Sequence, residues 1–137
     1  MNNPSKEELK EILLNTNAIA VVGLSDSPNR TSFQVAKAMQ DAGYKILPVN
    51  PKVEEVLGEK AYKSLEDINE PFEIINVFRK SEYLPNIAKE AVKTDAKIFW
   101  AQQGVYNETA YNYLDDQDFT VIMDSCIKVV HSILIGK

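Results

Sequence analysis

The sequence predicts a single α/β domain: a Rossmann-like, doubly wound parallel sheet of about five strands with helices on both faces. Three observations predict it. Five apolar runs rich in β-branched residues begin about every 25 residues. They are continuously apolar instead of alternating, as strands covered on both faces are. Segments with helical periodicity lie between them, which is the βαβ signature. With 137 residues and no linker or low-complexity tract, the chain reads as one domain over 1–137, a size that buries roughly 68% of its unfolded surface without staples.

The elements follow in order. Ser5-x-x-Glu8 is a capping box for a leading helix through Leu14. The first strand is 18–22 and the second 44–49. Between them Val35, Ala38, Met39 and Ala42 form a helical stripe closed by Gly43. Residues 53–63 show neither period and are read as an irregular connection with room for a short helical turn. A third strand spans 72–78. Leu84, Ile87, Ala88, Ala91 and Val92 mark the next helix, with Ser81 as its N-cap and Pro85 tolerated in the first turn. A fourth strand covers 96–100, and Asn107 and Glu108 open a helix to about Gln117. After a fifth strand, 119–123, Asp124 reads as the cap of a last helix. Its buried stripe is Cys126, Val129, Val130, Ile133 and Leu134.

Bulk properties narrow the function. The net charge of −5 argues against nucleic-acid and anionic-membrane partners. No apolar run reaches the roughly 18 residues of a membrane span, and the first residues lack a signal-peptide core, so a cytoplasmic location is expected. Cys126 and His131 are the only residues of their kinds, so no metal site is expected. His131 reads as a surface or helix-end residue, and Cys126 as a small packed hydrophobe. No catalytic residue is singled out.

Ligands of open parallel sheets bind beyond the C-terminal strand ends. The loop after the first strand carries Gly23, Ser25, Arg30, Thr31 and Ser32; close backbone approach, hydroxyls, helix-start amides and a guanidinium suit a phosphate. After the second strand come Asn50, Pro51 and Lys52. A lysine stands where a NAD-binding domain carries a carboxylate for the ribose, which favours a ligand phosphorylated on or near the ribose, coenzyme A or NADP. Phe78 and Arg79 follow the third strand. The chain's two arginines, against thirteen lysines, therefore both fall in loops that follow strands. After the fourth strand, Gln102 and Gln103 offer amide side chains, and Gly104 a glycine turn, to a base or a pantetheine arm.

Taken in order, Ala20-Val21-Val22-Gly23-Leu24-Ser25, Gly43-Tyr44-Lys45-Ile46-Leu47-Pro48-Val49-Asn50-Pro51, Leu57-Gly58-Glu59-Lys60, Asn76-Val77-Phe78-Arg79, Trp100-Ala101-Gln102-Gln103-Gly104-Val105 and Met123-Asp124-Ser125-Cys126 resemble the CoA-binding domain family. These are small stand-alone proteins similar to the N-terminal domain of the succinyl-CoA synthetase α chain. The resemblance spans roughly residues 12–135. It implies that the Gly23–Arg30 loop lies against the CoA phosphates, that Asn50-Pro51-Lys52 flanks the adenosine end, and that Phe78-Arg79 closes the other wall. The synthetase's glycine-rich first loop is replaced here by Ser25-Asp26-Ser27-Pro28-Asn29-Arg30. Its phosphohistidine domain has no counterpart in this sequence, so its catalysis does not carry over.

The expected function is binding of coenzyme A or a short acyl-CoA as a non-catalytic binding or sensing module, with this small nucleotide cofactor as the partner and the oligomeric state open. The alternative is an NADP-linked enzyme or a thiol-dependent acyl-transfer enzyme using Cys126.

Overall fold

Every one of the five apolar runs is a strand in the computed structural model, which describes residues 2–136. Helix α1 (Lys6–Leu14) starts with the expected capping box between Ser5 and Glu8. Strand β1 (Ala18–Val22) is buried along its whole length. Helix α2 (Thr31–Asp41) precedes β2 (Lys45–Val49), and Gly43 between them adopts φ 108°. Then come a two-stranded hairpin, β3 (Glu55–Val56) and β4 (Glu59–Lys60), and β5 (Ile74–Val77). Helix α3 (Leu84–Ala91), β6 (Ile98–Ala101), α4 (Glu108–Asp116), β7 (Thr120–Ile122) and α5 (Ile127–Leu134) complete the chain.

The main sheet has the order β2-β1-β5-β6-β7, parallel throughout. Alternate residues of each strand feed two cores. Ile19, Val21, Ile46, Ile74, Trp100 and Ile122 pack beneath α1, α2 and α5. Ala20, Val22, Ile75, Val77, Phe99 and Val121 pack beneath α3 and α4. Burying both faces is what makes these strands continuously apolar in sequence. Strand β1 pairs with β2 on one side and with β5 on the other, so the order reverses at β1/β5 and a crevice opens above that point.

The edge strand β2 contains Pro48, which has no N–H to give. Its carbonyl points outward and accepts from Tyr62 N–H at 2.8 Å, and Asn50 N–H donates to Tyr62 O at 2.8 Å. The missing donor thus faces the edge side, where a proline is tolerated. At the amino end, Asn3 bonds Met123 twice through its side-chain amide: Nδ2 donates to the carbonyl and Oδ1 accepts from the N–H, each at 3.0 Å.

Five expectations are corrected, four here and the surface reading of His131 below. Residues 53–63 hold the β3–β4 hairpin and no helical turn; Leu57 and Gly58 at its tip both have positive φ, the two-residue turn that matches strand twist. Ser81 does not cap α3, since a 3-10 turn (Ser81–Tyr83) intervenes and the Ser81 hydroxyl accepts from Tyr106 N–H. Asp124 does not cap α5, whose N-cap residue is Cys126 without a side-chain bond. The buried face of α5 is also rotated: Val129 and Ile133 are exposed, whereas Ile127 and His131 are buried.

His131, expected at the surface or a helix end, lies in the last turn of α5 but is only 5% exposed, and it meets the Tyr44 ring edge-on, with centroids 5.5 Å apart. Burial lowers its pKa below the ordinary 6.5. As pH falls, the unfolded chain takes up this proton before the folded one does. The stabilisation is therefore complete above pH 6.5 and is lost as pH falls through the lower folded value. Glu70 titrates in a lower window: Lys45, at 2.7 Å, and Tyr62 hold its carboxyl below the usual 4.5. We predict that His131→Phe flattens the fall in thermal midpoint between about pH 7.5 and about pH 5.5. Parallel curves for variant and wild type would show that the imidazole does not contribute.

Candidate functional site

The crevice at the reversal point is built from backbone pairing that continues one residue past the strands. Gly23 N–H donates to Val49 O at 2.8 Å and Phe78 N–H donates to Val22 O at 2.8 Å. Gly23 has φ 85°, a conformation that favours glycine. A Cβ here would press into the Phe78 carbonyl oxygen and stand 2.9 Å from Arg79 Cδ. The loops after β1 and β5 therefore touch across a position that admits no side chain.

The Ser25–Arg30 loop folds through its own hydroxyls. Ser25 N–H donates to the buried Ser32 Oγ and Ser27 N–H to Ser25 Oγ, both at 3.0 Å. Arg30 is the N-cap residue of α2 but makes no side-chain cap, and the first turn holds no acid. The amide ends and positive dipole of α2 thus face the crevice without a protein anion. Asn50 ties the second loop to the first: Nδ2 donates to Leu24 O at 2.9 Å while Oδ1 accepts from Lys52 N–H at 2.9 Å. In the third loop, the Arg79 guanidinium stacks on Tyr83, 4.7 Å from the ring centroid. Asp124, at φ 57°, turns its carboxylate onto Gly104 N–H at 2.6 Å, while its own N–H donates to Val105 O at 3.0 Å. This clamps the loop after β6.

Together these loops line one cleft of about 1080 Å³. All twelve residues singled out in the sequence lie on it: Gly23, Ser25, Arg30, Thr31, Ser32, Asn50, Pro51, Lys52, Phe78, Arg79, Gln103 and Gly104. Gln102, the other amide of the loop after β6, lines it too, and five more were missed, Val53, Lys80, Ser81, Tyr83 and Val105. Each stands within a few residues of a chosen one, so reading whole strand-exit loops would have found them. Four lining residues are cations, Arg30, Lys52, Arg79 and Lys80, and none is acidic. None of the four has an ion-pair partner among the described residues. Cys126 is absent from the lining and is packed, half-buried, against the core beneath α5.

A second hollow, about 570 Å³, lies at the opposite strand ends, between residues 65–72 and 93–96. Glu66, Glu70 and Asp95 on its wall make it a poor anion site. Among the described residues no cluster of metal-ligating side chains occurs, and no helix is long and apolar enough to cross a membrane.

Residues 17–132 match the CoA-binding domain family. The chain belongs to that family. It is similar to protein YneT of Bacillus subtilis, 60% identical over 97% of this chain and 98% of that one. It also resembles the α subunit of ADP-forming acetate–CoA ligase II of Pyrococcus furiosus, 41% identical over 42% of this chain but spanning only 13% of the subunit. A solved structure of a hypothetical protein from Pyrococcus horikoshii superimposes with a TM-score of 0.94 at 34% identity, covering 99% of this chain and 98% of that one. The Rossmann-like fold and the family expected from the sequence are thus both found.

Of the two glycines that line this CoA-binding-domain cleft, Gly23 is the one at which an added Cβ would clash. We predict that Gly23→Ala lowers stability by about 1–3 kcal/mol, because it combines a left-handed backbone with a backbone clash. Chemical denaturation measures this. An unchanged midpoint would mean that the two loops separate freely.

Proposed function

We propose that this protein binds coenzyme A or a short acyl-CoA in the cleft at the C-terminal strand ends, as a binding or sensing module without chemistry of its own. One observation carries the reading. A chain of net charge −5 directs both of its arginines and two lysines at one hollow whose lining contains no acid. Unpaired cations repel one another, and an arrangement of this kind is balanced by a polyanion seated among them. Coenzyme A, with a diphosphate and a ribose phosphate, has the charge and the length to meet all four.

The residues present fit such a ligand. The amide end of α2, Thr31 and Arg30 suit the diphosphate, and Lys52 beside Asn50 suits the phosphorylated ribose. Phe78 and the Arg79–Tyr83 stack form the wall opposite. Family membership and the likeness to acetate–CoA ligase subunits support the same ligand class. The position of Cys126 outside the lining weakens a thiol-dependent reading.

Thermal shift with coenzyme A, dephospho-coenzyme A, NAD and NADP tests the proposal. At 100 times its dissociation constant, coenzyme A should add about 2.7 kcal/mol of stability, and NAD far less. Arg30→Ala and Arg79→Ala should each weaken coenzyme A binding about tenfold to a hundredfold, the worth of one charge-assisted hydrogen bond. Unchanged titration curves for both variants would remove the arginines from the site. Stabilisation by NAD equal to that by coenzyme A would remove the selectivity.

A further inference from the structure

One lysine of the cleft is placed to react with a bound thioester. Lys80 follows β5 by three residues, lines the cleft and has no ion-pair partner among the described residues. The residue is exposed, but the backbone on both sides of it is fixed. Phe78 N–H is bonded to Val22 O at 2.8 Å, the Lys80 carbonyl accepts from Tyr83 N–H at 2.9 Å, and the Ser81 hydroxyl accepts from Tyr106 N–H at 3.0 Å. Only the four-carbon stem is left to move, and it ends in a primary amine that no carboxylate of the lining ties down.

The order of the strand exits decides which lysine meets the reactive end of a ligand. Lys52 stands in the loop after β2, Arg30 in the loop after β1 and Lys80 in the loop after β5, in the sheet order β2-β1-β5. The exits of β2 and β5 are two strand spacings apart, about 10 Å. With the phosphorylated ribose at Lys52 and the diphosphate at the start of α2, the arm that carries the thioester runs away from Lys52 toward the β5 side. Of the two lysines that line the cleft, Lys80 is the one on that side. An amine and a thioester held in one hollow meet at the effective concentration of tethered partners, about millimolar or above. We infer that Lys80 is a self-acylation site for bound acyl-CoA. Its neutral ε-amine attacks the thioester carbonyl carbon, and the C–N bond forms as the C–S bond breaks. The amine gives one proton to the departing thiolate, which leaves as the coenzyme A thiol, and the proton shed earlier by the ammonium goes to solvent. The product is a neutral amide, so one of the four cations of the lining is erased and the next coenzyme A is held less tightly. The reactive bond is the ligand's, and the event occurs once per molecule without turnover. It gives a sensing module a durable record of acyl-CoA. This inference rests on the coenzyme A reading above.

Incubation of the full chain with acetyl-CoA, followed by mass-spectrometric peptide mapping, reads the site. Lys80 should be acetylated about tenfold or more faster than the mean of the other twelve lysines, and excess free coenzyme A should remove that preference. S-acetyl-N-acetylcysteamine, a thioester of the same kind without the nucleotide, should show no preference for Lys80. Lys80→Gln, whose neutral amide imitates the acetylated side chain, should bind coenzyme A about fivefold more weakly than Lys80→Arg, which keeps the charge. Acetylation spread evenly over the lysines, in protein that coenzyme A still stabilises, would overturn the assignment and leave the coenzyme A reading intact. So would a Lys80 preference that survives excess coenzyme A or appears with both thioesters, since the amine would then be reactive without delivery by the cleft. Modification of Lys52 ahead of Lys80 would reverse the direction of the ligand and overturn it too. Equal affinities of the two variants would overturn the loss of binding that acylation is expected to bring. Wild-type protein that shows neither stabilisation by coenzyme A nor a preferred lysine would sink both readings together.

Discussion

The site depends on the near-contact of two loops at Gly23. The hydrogen that stands in place of a side chain lets the exits of β1 and β5 close on each other where the strand order reverses. The two bonds that extend the ladder beyond the strands, Gly23 N–H to Val49 O and Phe78 N–H to Val22 O, make three loops leave the sheet from one level. Ser25, Lys52 and Arg79 are brought to a common hollow by this backbone arithmetic, before any of their side chains contributes. The cleft is thus a property of the sheet's topology, and the loop sequences decorate it.

The fold braces this hollow largely with groups that leave its cations unmatched. Asn50 joins the first two loops with a neutral amide, and Ser32 and Ser25 hold the Ser25–Arg30 loop with hydroxyls. The Asp124 carboxylate, which braces the neighbourhood, is turned onto a backbone N–H of the β6 loop, and it is not part of the lining. The acids of an acidic chain are kept off this surface. Electrostatic attraction toward an incoming anion is then undiminished by local ion pairs, although bulk salt still screens it.

Much of this was legible in the sequence because parallel strands covered on both faces have an unambiguous signature. Each strand lies within two residues of its apolar run, as in 72–78 against Ile74–Val77. The β3–β4 hairpin was not legible, because strands of two residues are too short to show a period, and Leu57 is an unusual residue at a positive-φ turn position. Asp124 illustrates a second limit. Capping depends on backbone conformation, and at φ 57° its carboxylate reaches back to Gly104 instead of forward to α5. The rotated face of α5 is a third: Val129 and Ile133 have the composition of core residues, but α1 and α2 cover the Ile127 and His131 side. The cleft residues were found through topology, since the exits of parallel strands are known before any coordinates are.

The pairing of Pro48 and Asn50 with Tyr62 bears on how the molecule behaves in a crowd. A sheet margin is normally an invitation to a foreign strand, which docks by exchanging main-chain bonds with it. Here one donor never existed, and the neighbouring acceptor and donor are already spent within the chain. A second molecule approaching β2 finds nothing along this stretch to zip onto, so runaway stacking of sheets is discouraged at the flank nearest Lys52, which must stay open to solvent if it is to meet a ligand.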